Sequence, residues 1–223
     1  MSKIKSNSPK LAIFNTFKAK SKALTGEALR QRSIIVALAT ETNPTDKTRT
    51  SISQKIASQS GVVWKNLYSG VFRDLDEILI PLGLVREEGR LPLKRGPKAL
   101  QEKGVPYYKL TQSGLLVSLS LNEIKDRKEI LERFFSNLSK DENEFHDIIL
   151  KLTKIAPKFT FSLFEKYVKA YCEGKLKLLP FKFQNLKNIS DESLIIQKEL
   201  LEGFTNLSKS DEEKTVNLLN RVC

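Results

Sequence analysis

Apolar positions recur with a helical period along most of the chain. The stretch Leu29 to Leu38, with Ile34, Ile35 and Val36, predicts a buried helix that Thr25 caps and Glu27 supports in its first turn. After a polar loop around Asn43, Pro44 and Thr45, Ser51 has Gln54 three places on. That spacing is a capping box, and Ile52, Ile56 and Ala57 supply the apolar face of a short second helix ending near Ser60 and Gly61. A third helix is expected to follow through residues 62–79, where Pro81 stops it. The stretch 82–89 (LGLVREEG) then reads as a strand, and 104–114 (GVPYYKLTQSG) as its return, with Tyr107, Tyr108 and Leu110 on it. The loop between the two is too basic to be core.

Beyond Thr111 the pattern is helical again, in four runs that take in residues 115–121, 123–138, 141–156 and 159–174. Phe161, Phe164, Val168 and Tyr171 fall at helical spacing in the last. Pro180 and the stretch 181–188 predict an irregular connection, and two final helices are expected to start near Ser190 and Ser210, the latter with Glu213 as a second capping box. One internal echo stands out: residues 128–140 (KEILERFFSNLSK) resemble 198–209 (KELLEGFTNLSK). The fold class expected is mainly α with a small β wing (α+β). Its parts are an arm over residues 1–24, a helix-turn-helix with a wing over 25–120, and an all-helical segment over 121–223 for dimerisation or partner binding.

Charge sharpens this division. Residues 1–120 carry 20 basic and 9 acidic side chains, whereas 121–223 carry 18 and 17. A local excess of that size attracts polyanions, which makes double-stranded DNA the expected partner of the first half. The arm has six lysines and no acid; Ser8 before Pro9 predicts a short helix there, with Leu11, Phe14 and Phe17 sharing part of a face. Only Cys172 and Cys223 are present, so neither a disulfide framework nor a cysteine zinc site is encoded, and a reducing, cytoplasmic setting fits. No run reaches the roughly 18 residues of a membrane span, and Lys3 and Lys5 precede no apolar signal segment.

On a wheel of the third helix, Trp64, Leu67, Tyr68, Val71, Leu75 and Ile78 gather on one side, and Lys65, Asn66, Ser69 and Arg73 on the other. A recognition helix needs that arrangement: a core stripe inward, and short polar or basic groups toward base edges and phosphates. Asn66 and Arg73 suit bidentate contacts with adenine and guanine, while Lys65 and Ser69 suit phosphates. In the loop after the first strand, Arg90, Lys94, Arg95 and Lys98 are candidate DNA contacts, with Gly96 and Pro97 holding the tip extended; Arg95 is the candidate for entry into a minor groove. No nucleotide-binding glycine loop or metal-spaced cluster is present, and the single histidine, His146, has no companion ligand, so neither catalysis nor a cofactor is expected.

Through LGLVREEG at 82–89 and YYKLTQSG at 107–114 the chain resembles winged-helix regulators of the MarR and PadR type over residues 25–120. That resemblance implies that Thr111 caps the helix after the wing and that Gly114 closes the motif, and it implies a helical homodimer, with no effector ligand identified. Two departures stand beside it: the third helix runs longer before the first strand than is usual, and the wing loop is long. Competing readings are a winged-helix protein-interaction adaptor and a replication or chromatin-associated DNA-binding protein.

Overall fold

The computed structural model of the 223-residue chain describes residues 9–18, 23–61, 64–93, 96–138, 145–187, 189 and 191–222; the side chains of Ser60, Trp64, Lys65, Asn66, Ala99, Leu100 and Val222 are not described. The described residues are mostly helical, with one two-stranded antiparallel sheet, and the chain divides into two units, Met1–Lys182 and Phe183–Cys223.

The first helix, α1, spans Gly26–Thr40, and the Thr25 hydroxyl accepts from the Ala28 N–H at 3.2 Å, as expected. Its inward face is Ala28, Gln31, Ile34, Ile35 and Leu38, spaced three and four apart. Among its described residues, 9–18 and 23–24, the arm before it is not helical; the expected cap Ser8 lies outside them. Leu11, Ala12 and Ile13 are all buried, and three consecutive apolar residues cannot all face one side of a helix, where neighbours lie about 100° apart. A turn buries all three, and the Ala12 N–H donates to the buried Gln31 side chain at 2.8 Å. Arg32 adds a clamp, donating to the Ile13 carbonyl and, in a fork at 2.6 and 2.7 Å, to Glu123.

Helix α2, Arg49–Ser60, starts two residues before the expected box. Thr48 is its N-cap: the Thr48 hydroxyl accepts from the Ser51 N–H at 3.2 Å and donates to the Ser51 hydroxyl at 3.0 Å, so Ser51 serves as the third residue of the helix. Thr48 wins because its extended backbone also forms a bridge to Tyr107, which Ser51 inside the helix cannot do. Thr48→Ala is therefore expected to lower stability by about 1 kcal/mol and Ser51→Ala by a few tenths, measured by urea denaturation. Gly61, with φ of 68°, ends the helix, and α3 follows over Trp64–Arg73.

From Asp74 to Leu79 the helix continues as a π-turn, with the Ile80 N–H bonded to the Leu75 carbonyl. This wider winding corrects the wheel. A 3.6-residue period places Val71, Leu75 and Ile78 inward, whereas the π-turn buries Val71, Leu75 and Leu79 and leaves Ile78 half-buried. It also accounts for the extra length before the first strand.

Strand β1 is Val85–Leu91 and β2 is Val105–Leu110, paired Val85 to Leu110 through Leu91 to Val105 with a bulge at Glu88. Residues 82–84 form a turn instead of the expected start of the strand, because Gly83 takes φ of 68° and its N–H bonds back to the Ile80 carbonyl. Between the strands lies α4, Lys98–Lys103.

Helix α5, Gln112–Leu119, packs on α1 and on α8, Pro157–Cys172; α6, Arg127–Phe135, and α7, His146–Ile155, complete the first unit. The phenylalanine-rich run is core. Phe134, Phe164, Tyr167 and Phe181 are fully buried, with ring centroids 4.9–5.9 Å from Phe181.

In the second unit, a short turn α9, Gln184–Lys187, precedes α10, Glu192–Phe204, and α11, Lys209–Val222. Asp191 caps α10, accepting from the Leu194 N–H at 3.1 Å, in place of Ser190. Ser208 caps α11, accepting from the Asp211 N–H at 3.3 Å, in place of Ser210.

Candidate nucleic-acid interface

Helix α3 is held from behind by an ion pair. Arg30 of α1 forks onto Asp74, Nε to Oδ2 at 2.5 Å and the second nitrogen to Oδ1 at 3.2 Å. Asp74 is fully buried and Arg30 nearly so. The guanidinium reaches it only because residue 70 is glycine: a Cβ there would lie 2.9 Å from Arg30 Nε. Neither residue stands out in the sequence, since Asp74 lies among exposed acids and Arg30 is 44 positions away.

Ser69 and Arg73, one turn apart on α3, are exposed. Arg73 lies 3.9 Å from the buried Asp74, whose charge Arg30 already engages. Lys65 and Asn66 sit in the first turn of α3, and their side chains lie outside the described residues. The same concave face includes Tyr68, Phe72, Asp76 and Glu77 around a hollow of about 440 Å³. Asp76 is neutralised by Arg49, the first residue of α2, whose guanidinium also lies 4.0 Å from the centre of the Phe72 ring. Arg49 was not among the expected site residues. Its placement depends on the Thr48 cap, which the expected Ser51 start hides.

The hairpin places its charges on both faces. Tyr108 turns toward Arg49, 5.3 Å from its ring centre, and burial raises its hydroxyl pKa above the ordinary value, with Arg49 pulling the other way. Arg86 and Lys109 are partners across the strands, one residue out of phase with Tyr108, so they face the opposite side. There they line a hollow of about 430 Å³ with Arg133 of α6. Lys109 also meets Glu88 at 2.5 Å.

Arg90 is engaged at home: it forks onto Glu87 at 2.7 and 3.2 Å and donates to the Lys103 carbonyl at 3.4 Å. Lys94 and Arg95 lie outside the described residues. Lys98 is exposed, at the first position of α4, so the loop is not extended beyond Pro97. The residues 98–103 favour helix intrinsically, proline suits the position before it, and the Gln101 side chain donates to the Gly96 carbonyl at 2.5 Å.

The motif at 111–114 joins these parts. The Thr111 N–H and hydroxyl donate to the carbonyls of Leu84 (3.0 Å) and Gly83 (2.5 Å), and the same hydroxyl accepts from the Gly114 N–H. Thr111 thus caps α5, as expected, and straps it to the chain leaving α3.

No protein-family model, curated protein or solved structure matches this chain.

The remaining chemistry is sparse. Burial, with the adjoining Glu173, pushes the Cys172 thiol up to about 12, so it stays protonated at neutral pH and is a poor nucleophile. His146 opens α7 half-buried against Phe135, with ring centroids 4.9 Å apart. Among the described residues no group of three or more His, Cys, Asp or Glu is placed to hold a metal ion, and no helix is long and apolar enough to cross a membrane.

Proposed function

We propose that residues 25–120 are a winged helix-turn-helix, akin to the MarR and PadR type, that binds double-stranded DNA in a sequence-specific way and regulates transcription as a homodimer. The observation that carries this reading is the continuous order of α1, α2, a left-handed turn at Gly61, α3 and an antiparallel hairpin, with Ser69 and Arg73 of α3 turned outward. The excess of 20 basic over 9 acidic side chains in residues 1–120 supports it. In this reading α3 lies in a major groove, with Lys65, Asn66, Ser69 and Arg73 toward bases and phosphates. Lys94, Arg95 and Lys98 of the hairpin loop lie along the adjacent backbone. Arg90, held by Glu87, orients the base of the loop.

The test compares wild type with two variants by fluorescence anisotropy on duplex DNA. Lys94→Ala/Arg95→Ala/Lys98→Ala should weaken random and preferred duplexes alike and flatten the salt dependence by about three phosphate contacts. Lys65→Ala/Arg73→Ala should weaken a selected site by about tenfold or more and a random duplex by less. Equal binding by all three proteins would contradict the assignment.

A further inference from the structure

The echo between residues 128–140 and 198–209 sets up a comparison within one molecule. In α6, Ile130 and Leu131 are 3% and 0% exposed. At the matching positions of α10, Leu200 and Leu201 are 48% and 66% exposed. The same helical pattern is core in the first unit and uncovered in the second.

The uncovered surface has a register. Within α10, Ile196, Leu200 and Gly203 follow one another at spacings of four and three, which is the a/d spacing of helices that pack side by side, and Leu207 continues the apolar surface in the turn after the helix. They line a groove of about 490 Å³ together with Glu199, Phe204 and Thr215 of α11. Gly203 has open space where a Cβ would stand, so a neighbouring helix can approach closely there. With Leu194 and Leu201 the apolar arc of α10 covers about 180°, wider than the stripe of roughly 100° typical of a helix with a single core face.

Residues 183–223 are close to the size, about 40 residues, below which a chain usually gains its stability from a metal, disulfides or a partner chain. Residues 183–223 hold five basic and seven acidic side chains, which disfavours a polyanion as occupant and sets little repulsion between two copies. The half-exposed Ile195, Ile196, Leu200, Leu201, Val216 and Leu218, with Leu207, leave on the order of 600 Å² of apolar side chain per chain, near the roughly 800 Å² per partner of an ordinary stable interface. We infer that α10 and α11 form the self-association surface: two copies of the 183–223 hairpin pair through the Ile196, Leu200 and Gly203 stripe of α10 as a four-helix bundle. This rests on the dimer of the reading above and assigns it to the last 41 residues; the DNA contacts of residues 25–120 stand or fall separately.

The experiment is light scattering on the full chain at tens of micromolar, in 0.1 M and 0.5 M salt. Wild type should show twice the chain mass at both salts, because apolar pairing is not screened. Ile196→Glu/Leu200→Glu should show the chain mass with an unchanged helical spectrum, both sites being exposed within the chain. Lys198→Ala, on the polar arc, should remain dimeric. A monomeric wild type, a dimer that dissociates in high salt, or a dimer that survives the double glutamate variant would each overturn the inference. Anisotropy on random duplex with the same double variant separates the two claims, since loss of dimer leaves half-site binding in place.

Discussion

Asp74→Ala is expected to lower the stability of the first unit by about 3–5 kcal/mol in urea denaturation, the cost of stranding one partner of a buried ion pair. Asp74 is fully enclosed, and Arg30, beneath Gly70, has no other carboxylate bonded to it among the described residues. Arg30→Ala should cost a similar amount by exposing Asp74 to the same imbalance. Replacing both together, Arg30→Met with Asp74→Leu, should recover most of the loss, since two apolar groups need no compensation. A double-mutant cycle showing additive losses would contradict the pairing. The pair sits where α3 passes into the π-turn, so it also fixes the angle at which Ser69 and Arg73 are presented.

Gly114→Ala is the second large effect. A Cβ at residue 114 would land on the Leu84 carbonyl oxygen and within 3.1 Å of the Leu110 side chain. The oxygen cannot retreat, because it accepts from the Thr111 N–H and belongs to the strap between α3 and α5. Either β1 or α5 must shift, and a loss of about 3 kcal/mol or more is expected in the same denaturation assay. Thr111→Val keeps the shape and removes the cap, so it should cost only about 1 kcal/mol. Equal, small losses at both positions would mean that the close approach at Gly114 is relaxed in solution.

These two positions show how far the sequence reaches. Thr111 and Gly114 were marked by the resemblance at 107–114, which carries a local constraint: a cap and a glycine three residues apart. The order of helices and strands was legible for the same reason, since period and turn residues act within a few positions. Arg30, Gly70 and Asp74 were not, because an ion pair 44 residues apart leaves no periodic trace, and a buried Asp reads like its exposed neighbours Asp76 and Glu77. The starts of α2, α10 and α11 were misplaced by one to three residues, each time because serine, threonine or aspartate occurs at several adjacent positions and tertiary bonding chooses among them. Residues 9–18 of the arm are not the expected helix because Leu11, Ala12 and Ile13 are all buried, which one helical face cannot do. Of the candidate contacts, Ser69, Arg73 and Lys98 are exposed, whereas Arg90 is tied to Glu87, a partner three residues away whose choice the spacing left open.

The proposed binding of duplex DNA by the basic first half, through α3 and the hairpin loop, requires an affinity that falls with salt. The most direct measurement is the affinity of the wild-type chain for a random-sequence duplex between 50 and 200 mM salt. With Lys65, Arg73, Lys94, Arg95 and Lys98 on phosphates, the logarithm of the association constant should fall with the logarithm of salt at a slope of about −4.5 per protomer. Absence of binding at 50 mM, or an affinity indifferent to salt across that range, would contradict it.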